Sequence, residues 1–176
     1  MRTTKLIPLL LAAAGLDLLT GCGPFWVNPY ITVRESPLNW VEIHYYNTNR
    51  KPARRTSLYL NGTGHVEMKK GTSALISDDF AKGYKDEAWG DLVVRRMEVD
   101  PAHVNDIFQN LVNHGVLDRE KWGRSGPKKD HKRFIAVKAN INNVTYSENV
   151  NVFEADPDLA EHLLDALHEF ENPAVR

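Results

Sequence analysis

Metal binding and acid–base chemistry both need side chains with usable lone pairs near neutral pH, and the chain carries seven histidines. His44 follows Glu42 with one residue between them, and His65 precedes Glu67 in the same way. Residues two apart on an extended chain share a face, so each pair presents an imidazole beside a carboxylate. If the two strands are neighbours, His44, His65 and their acids converge on the open side of a sheet, a donor set that zinc accepts. The opposing reading is the solvated polar face that every one-sided antiparallel sheet has. No HExxH-type spacing favours the metal. His103, His162 and His168 fall on or near the polar sides of two helical stretches. His114 occupies a last helical turn, where a cation is favoured, and His131 lies in a basic stretch.

Nucleophile signatures are missing. There is no GxSxG, and no glycine-rich phosphate loop follows a strand. Asp78-Asp79 and Asp86-Glu87 are adjacent in sequence, which does not give the opposed carboxylates of glycoside hydrolysis. No catalytic residue and no metal site are therefore assigned. The expectation is a non-catalytic binding or scaffolding domain, and the alternative is a hydrolase or metal-binding protein using His44, His65 and nearby acids.

The single cysteine, Cys22, sits behind the N-terminal stretch MRTTKLIPLLLAAAGLDLLTGC. Arg2 and Lys5 followed by the apolar run from Leu6 have the layout of an export signal. A membrane-spanning helix needs about 20 apolar residues, and the run ending at Leu19 is shorter and broken by Pro8 and Asp17. An ordinary secretory cut after Gly21 would put Leu19 where a small residue belongs. Leu19-Thr20-Gly21-Cys22 resembles the lipobox of bacterial lipoproteins: an aliphatic residue, a small one, Gly or Ala, then Cys. The resemblance implies cleavage between Gly21 and Cys22, a diacylglycerol thioether on the Cys22 sulfur, and an acyl chain on the freed amine. A thiolate is the nucleophile such a thioether requires, and two or three acyl chains anchor durably where one does not. The only cofactor expected is this covalent lipid, and the first partner is the membrane itself. Gly23, where enterobacterial lipoproteins retained in the inner membrane carry Asp, favours the outer membrane and a periplasm-facing domain in a cell envelope with two membranes. With Cys22 modified, no thiol remains for a disulfide, so the fold must rest on packing.

The formal charge is −1, and residues 1–21 carry Arg2, Lys5 and Asp17, leaving about −2 on the remainder. That balance argues against a nucleic-acid partner. Locally the charge is uneven. The stretch REKWGRSGPKKDHKR, 119–133, holds seven Lys or Arg against two acids. Arg119, Lys121, Trp122, Arg124, Lys128, Lys129, Lys132 and Arg133 form a candidate anion- or partner-binding loop, its partner an envelope protein or an anionic envelope component. The competing reading is a charged loop folded near the acidic region from Glu148 to Glu171.

The elements that must position these residues read as one domain, 40–176, behind the signal segment 1–21 and a proline-rich tether, 22–39. Phe25 and Trp26 suit either a lipid interface or packing on the domain. Val41, Ile43 and Tyr45 alternate with Glu42, His44 and Tyr46 as in a half-buried strand. SLYLNGTGHVEMKK, 57–70, reads as a hairpin, and keeping Leu58 and Leu60 on the face of Val66 and Met68 demands an odd-numbered loop. Residues 91–99 read as a strand, while 77–90 carry no assignment. Asp100-Pro101 opens a helix with Val104, Ile107, Phe108, Leu111 and Val112 on one stripe, closed at Gly115. Residues 133–153 read as two strands around Asn142-Asn143, and Asp156-Pro157 opens a second helix with Leu159, Leu163, Leu164, Leu167 and Phe170. The order predicts an α+β fold, an antiparallel sheet with both Asp-Pro-capped helices on one face.

Overall fold

A computed structural model describes residues 28–49, 51–73, 89–123 and 132–171. Six strands form one antiparallel sheet: β1 (Trp40–Asn47), β2 (Ala53–Asn61), β3 (His65–Ser73), β4 (Trp89–Glu98), β5 (Arg133–Ile141) and β6 (Val144–Asn151). Their spatial order is β4-β3-β2-β1-β5-β6. Helices α1 (Pro101–Asn113) and α2 (Pro157–Glu171) pack on one face, with Val41, Ile43, Leu58, Leu60, Val66, Ile135 and Val137 beneath them. The α+β class read from the sequence is the class observed.

Local chemistry fixes the register. Leu58 faces Met68 and Leu60 faces Val66, joined through the three-residue loop Gly62-Thr63-Gly64, so the odd-numbered loop demanded by burial is present. Gly64 takes a φ of 92°, and a Cβ there would run into the Val99 carbonyl, which is why only glycine suits this turn. At the β5–β6 turn, Asn142 and Asn143 both adopt positive φ, 53° and 67°, the conformation of a two-residue type I′ hairpin that matches the sheet twist.

Each helix begins where an aspartate caps it. Asp100 accepts the Ala102 amide at 2.9 Å, and Asp156 accepts the Asp158 and Leu159 amides at 3.1 and 3.4 Å. Helix α1 ends in a Schellman turn at Gly115, with the Val116 amide on the Leu111 carbonyl and the Gly115 amide on the Val112 carbonyl. Val104, Ile107, Phe108, Leu111 and Val112 are all buried, as their spacing requires. On α2 the buried stripe is Leu159, Ala160, Leu163, Ala166, Leu167 and Phe170, with Leu164 half-buried at its edge. The helices run antiparallel. His103 meets Glu169 at 2.7 Å at one end and His114 meets Asp158 at 2.6 Å at the other.

Two features differ from the sequence reading. The sheet face opposite the helices is not a uniformly solvated polar surface: Tyr46, Phe134 and Ala136 form a second small buried cluster there. His44, Arg55 and Ser57, on the same face, are 2 %, 2 % and 5 % exposed. Strict alternation marks the two faces correctly, but β1 and β5 carry enough apolar surface on the second one to bury it, and Trp89 of β4 stacks over the Arg55 guanidinium at 4.2 Å. The other difference is the tether. Residues 28–39 bond to the domain and do not hold it at a distance. The Val33 amide donates to Gln109 Oε1 (2.8 Å), the Arg34 amide to Asn142 Oδ1 (2.9 Å), and the Tyr30 hydroxyl to Asp118 (3.0 Å). Asn39 is fully buried, donating to the Arg34 carbonyl and accepting the Asn142 amide at 2.7 and 2.9 Å.

Candidate functional site

Of the residues singled out by sequence, Cys22 and Gly21 lie outside the described residues, as do Arg124, Lys128, Lys129 and His131. Residues Arg119–Trp122 form a short 3-10 helix capped by Asp118, whose side chain accepts the Glu120 amide. Trp122 is not a surface aromatic. It is 1 % exposed, donates its indole N–H to the Val116 carbonyl at 3.0 Å, and packs against Tyr146. Its apolar area is more favourably placed under the turn than in water.

The basic residues divide by partner. Lys121 donates to Asp156 at 2.8 Å. This hydrogen bond raises the Lys121 ammonium and lowers the Asp156 carboxyl. Both groups are at the surface, so the pair fixes the turn against the start of α2 without a large energetic return. Arg119 is 89 % exposed on its side chain, 3.7 Å from Glu148. Lys132 is exposed, and Arg133 is exposed beside the Phe153 ring. Arg119, Lys132 and Arg133 are thus the most exposed of the described cations of the stretch. The Tyr30 hydroxyl, raised chiefly by its hydrogen bond to Asp118, joins the incoming chain to the same turn.

The proposed pairing of His44 with His65 does not form. Strand β2 lies between β1 and β3, and His44 is level with Ser57 and, beyond it, Lys69. His65 is four residues further along β3, so the imidazoles sit roughly 10 Å apart across the sheet and roughly 13 Å along it. Each has its own acid: His44 Nε2 is 3.0 Å from Glu42, and His65 Nδ1 is 2.8 Å from Glu98, a residue of the neighbouring strand. Glu67 pairs instead with Arg96 and Lys69. Burial holds the His44 imidazole below its usual range, and the His44 hydrogen bond lowers the Glu42 carboxyl. A neutral, enclosed histidine paired to one carboxylate is a structural element of the sheet.

A cluster the sequence did not reveal lies where the two helices meet. His114 is the C-cap of α1, held there by the turn at Gly115, while Asp158 and His162 stand one turn apart on α2. One donor atom from each of the three lies within 4.8 Å of the other two. The only local signal was the Asp158–His162 spacing of four, which places both on one side of a helix. Its third member required the antiparallel pairing of α1 with α2. Open grooves of about 340 and 430 Å³ flank α2, one reaching Tyr45 and Arg54, the other Phe153 and Pro157. No helix among the described residues is long and apolar enough to cross a membrane. No family model and no curated protein matches the chain.

Proposed function

We propose that the protein is a lipid-anchored cell-envelope lipoprotein whose globular domain binds or scaffolds at the membrane surface without doing chemistry of its own. The observation that carries this reading is the segment ending in Leu19-Thr20-Gly21-Cys22, with its charged start and interrupted apolar run. In the proposal Cys22 carries a diacylglycerol and an N-acyl chain, and the domain faces the periplasm from the outer membrane. Its partner is an anionic envelope component or an envelope protein, met by Arg119, Lys132 and Arg133.

The docking of residues 28–39 supports a close and oriented attachment. From Cys22 to Asn28 a fully extended chain reaches about 20 Å. Beyond it the chain is already bonded to the domain, through the Tyr30 hydroxyl to Asp118 and through the Ile31 and Val33 backbone to Gln109. A lipid on Cys22 therefore holds the Asp118–Trp122 turn near the headgroups, within the range where exposed basic residues feel an anionic surface. Replacing Cys22 with Ser tests the anchor. The account expects a Cys22→Ser chain to leave the membrane fraction and to remain uncut at Gly21; continued sedimentation with membranes and the same cleavage would refute it.

A further inference from the structure

We propose that His114, Asp158 and His162 form a binding site for a zinc-class divalent cation at the junction of the two helices. The proposal goes beyond the lipoprotein reading and does not depend on it. Asp158 engages both imidazoles. Its carboxylate accepts from His114 Nδ1 at 2.6 Å, and its backbone carbonyl accepts from His162 Nδ1 at 2.8 Å. A carbonyl oxygen only accepts, so His162 carries its proton on Nδ1 and keeps a lone pair on Nε2. The carboxylate imposes the same tautomer on His114. Histidines that bind metals are commonly held as His162 is, one ring nitrogen on a carbonyl and the other on the ion; at His114 the ion would take the place of the proton now shared between Nδ1 and the Asp158 carboxylate.

The two rings are already in contact. His114 and His162 lie face to face, with centroids 3.3 Å apart and planes 14° from parallel. Their lone pairs lie in the ring planes, so an ion shared by both requires one imidazole to turn out of the stack. A divalent cation between the ring nitrogens and the carboxylate satisfies all three groups at once. One donor atom from each residue lies within 4.8 Å of the other two, and closing these gaps to the roughly 3.4 Å separations of a tetrahedral zinc site would place all three on one ion.

The helix ends partly cancel, because the C-terminus of α1 favours a cation and the N-terminus of α2 disfavours one. The nearby Lys121 charge is balanced by Asp156. The other described imidazole–carboxylate contacts, His44–Glu42, His65–Glu98 and His103–Glu169, are not part of such a three-donor group. Two imidazoles and one carboxylate suit zinc, with copper(II) and nickel(II) as competitors in vitro. The side chains are 27 %, 57 % and 24 % exposed, so the fourth coordination position is open to water or to a ligand atom from outside.

The test uses the untagged full chain extracted in detergent, stripped with a chelator and titrated with Zn²⁺ against a chromophoric competitor. The expected result is one zinc per chain, with affinity falling by roughly 100-fold or more in His162→Ala and in Asp158→Asn and unchanged in His65→Ala. Binding releases protons and weakens as the imidazoles protonate. Should the variants fail to fold, Co²⁺ titration of the unaltered chain still decides the matter: intense visible bands of a tetrahedral nitrogen–oxygen site support it. The absence of stoichiometric binding, a weak octahedral cobalt spectrum only, or wild-type affinity in folded His162→Ala overturns it.

Discussion

Replacing Trp122 separates two accounts of the basic stretch, because the sequence placed this aromatic in a binding loop and the structure buries it. Trp122 is 1 % exposed, its indole N–H donates to the Val116 carbonyl, and its ring packs on Tyr146 at a centroid distance of 6.5 Å. Trp122→Ala removes a full aromatic from a packed site, a change that costs about 3–5 kcal/mol. Trp122→Phe keeps most of the apolar area but leaves the Val116 carbonyl without its donor, at about 1–3 kcal/mol. With a urea slope of about 2 kcal/mol per molar, the midpoint falls by about 1.5–2.5 M for the alanine and about 0.5–1.5 M for the phenylalanine. Equilibrium unfolding followed by circular dichroism and by Tyr fluorescence measures both shifts. The phenylalanine variant is expected to bind vesicles rich in anionic lipid as the unaltered protein does, while Arg119→Glu with Lys132→Glu weakens that binding, most at low salt. An unchanged midpoint in Trp122→Ala, together with lost vesicle binding, would refute the burial argument and restore Trp122 to the contact surface.

Further predictions concern the elements that frame the domain. Asn39→Ala removes a buried amide that bridges the Arg34 carbonyl and the Asn142 amide, and is expected to cost about 2–3 kcal/mol in urea unfolding. His44 is held neutral by burial, so its contribution is complete above the unfolded value near pH 6.5 and is lost as pH falls below it, because the unfolded chain takes up the proton first. The stability difference between the unaltered protein and His44→Gln should therefore shrink from pH 7 to pH 5, and a difference that is constant or grows over that window contradicts the assignment. Trp89→Leu removes the ring over the buried Arg55 guanidinium and is expected to lower stability by about 1–2 kcal/mol, measured by thermal unfolding.

Much of the architecture was legible because local rules and tertiary demands agree in it. Asp-Pro at 100–101 and 156–157 marked both helix starts, and Gly115 marked a helix end. The loop through Gly62 and Gly64 set the register of Leu58 on Met68. What escaped was long-range. Nothing near His44 or His65 in the sequence shows that β2 intervenes, since strand order depends on how the chain returns from the edge strand β4 through α1 to β5. The burial of Arg55 and His44 follows from what Tyr46, Phe134 and Trp89 do together on the second face, and each of those reads locally as an ordinary strand residue. The prolines at 24, 29 and 37 suggested a free tether, yet Asn39, Val33 and Tyr30 find partners at positions 109, 118 and 142 that no local pattern reveals. The His114–Asp158–His162 cluster was hidden for the same reason, because it exists only once the two helices lie antiparallel.

Intact mass spectrometry of the chain extracted from membranes tests the central claim most directly. The account predicts a polypeptide beginning at Cys22 whose mass exceeds the sequence mass by a glycerol-linked pair of acyl chains plus one amide-linked chain, with the excess confined to the N-terminal peptide. A chain that retains residues 1–21, or one that begins at Cys22 with a free thiol that alkylates quantitatively, would contradict it.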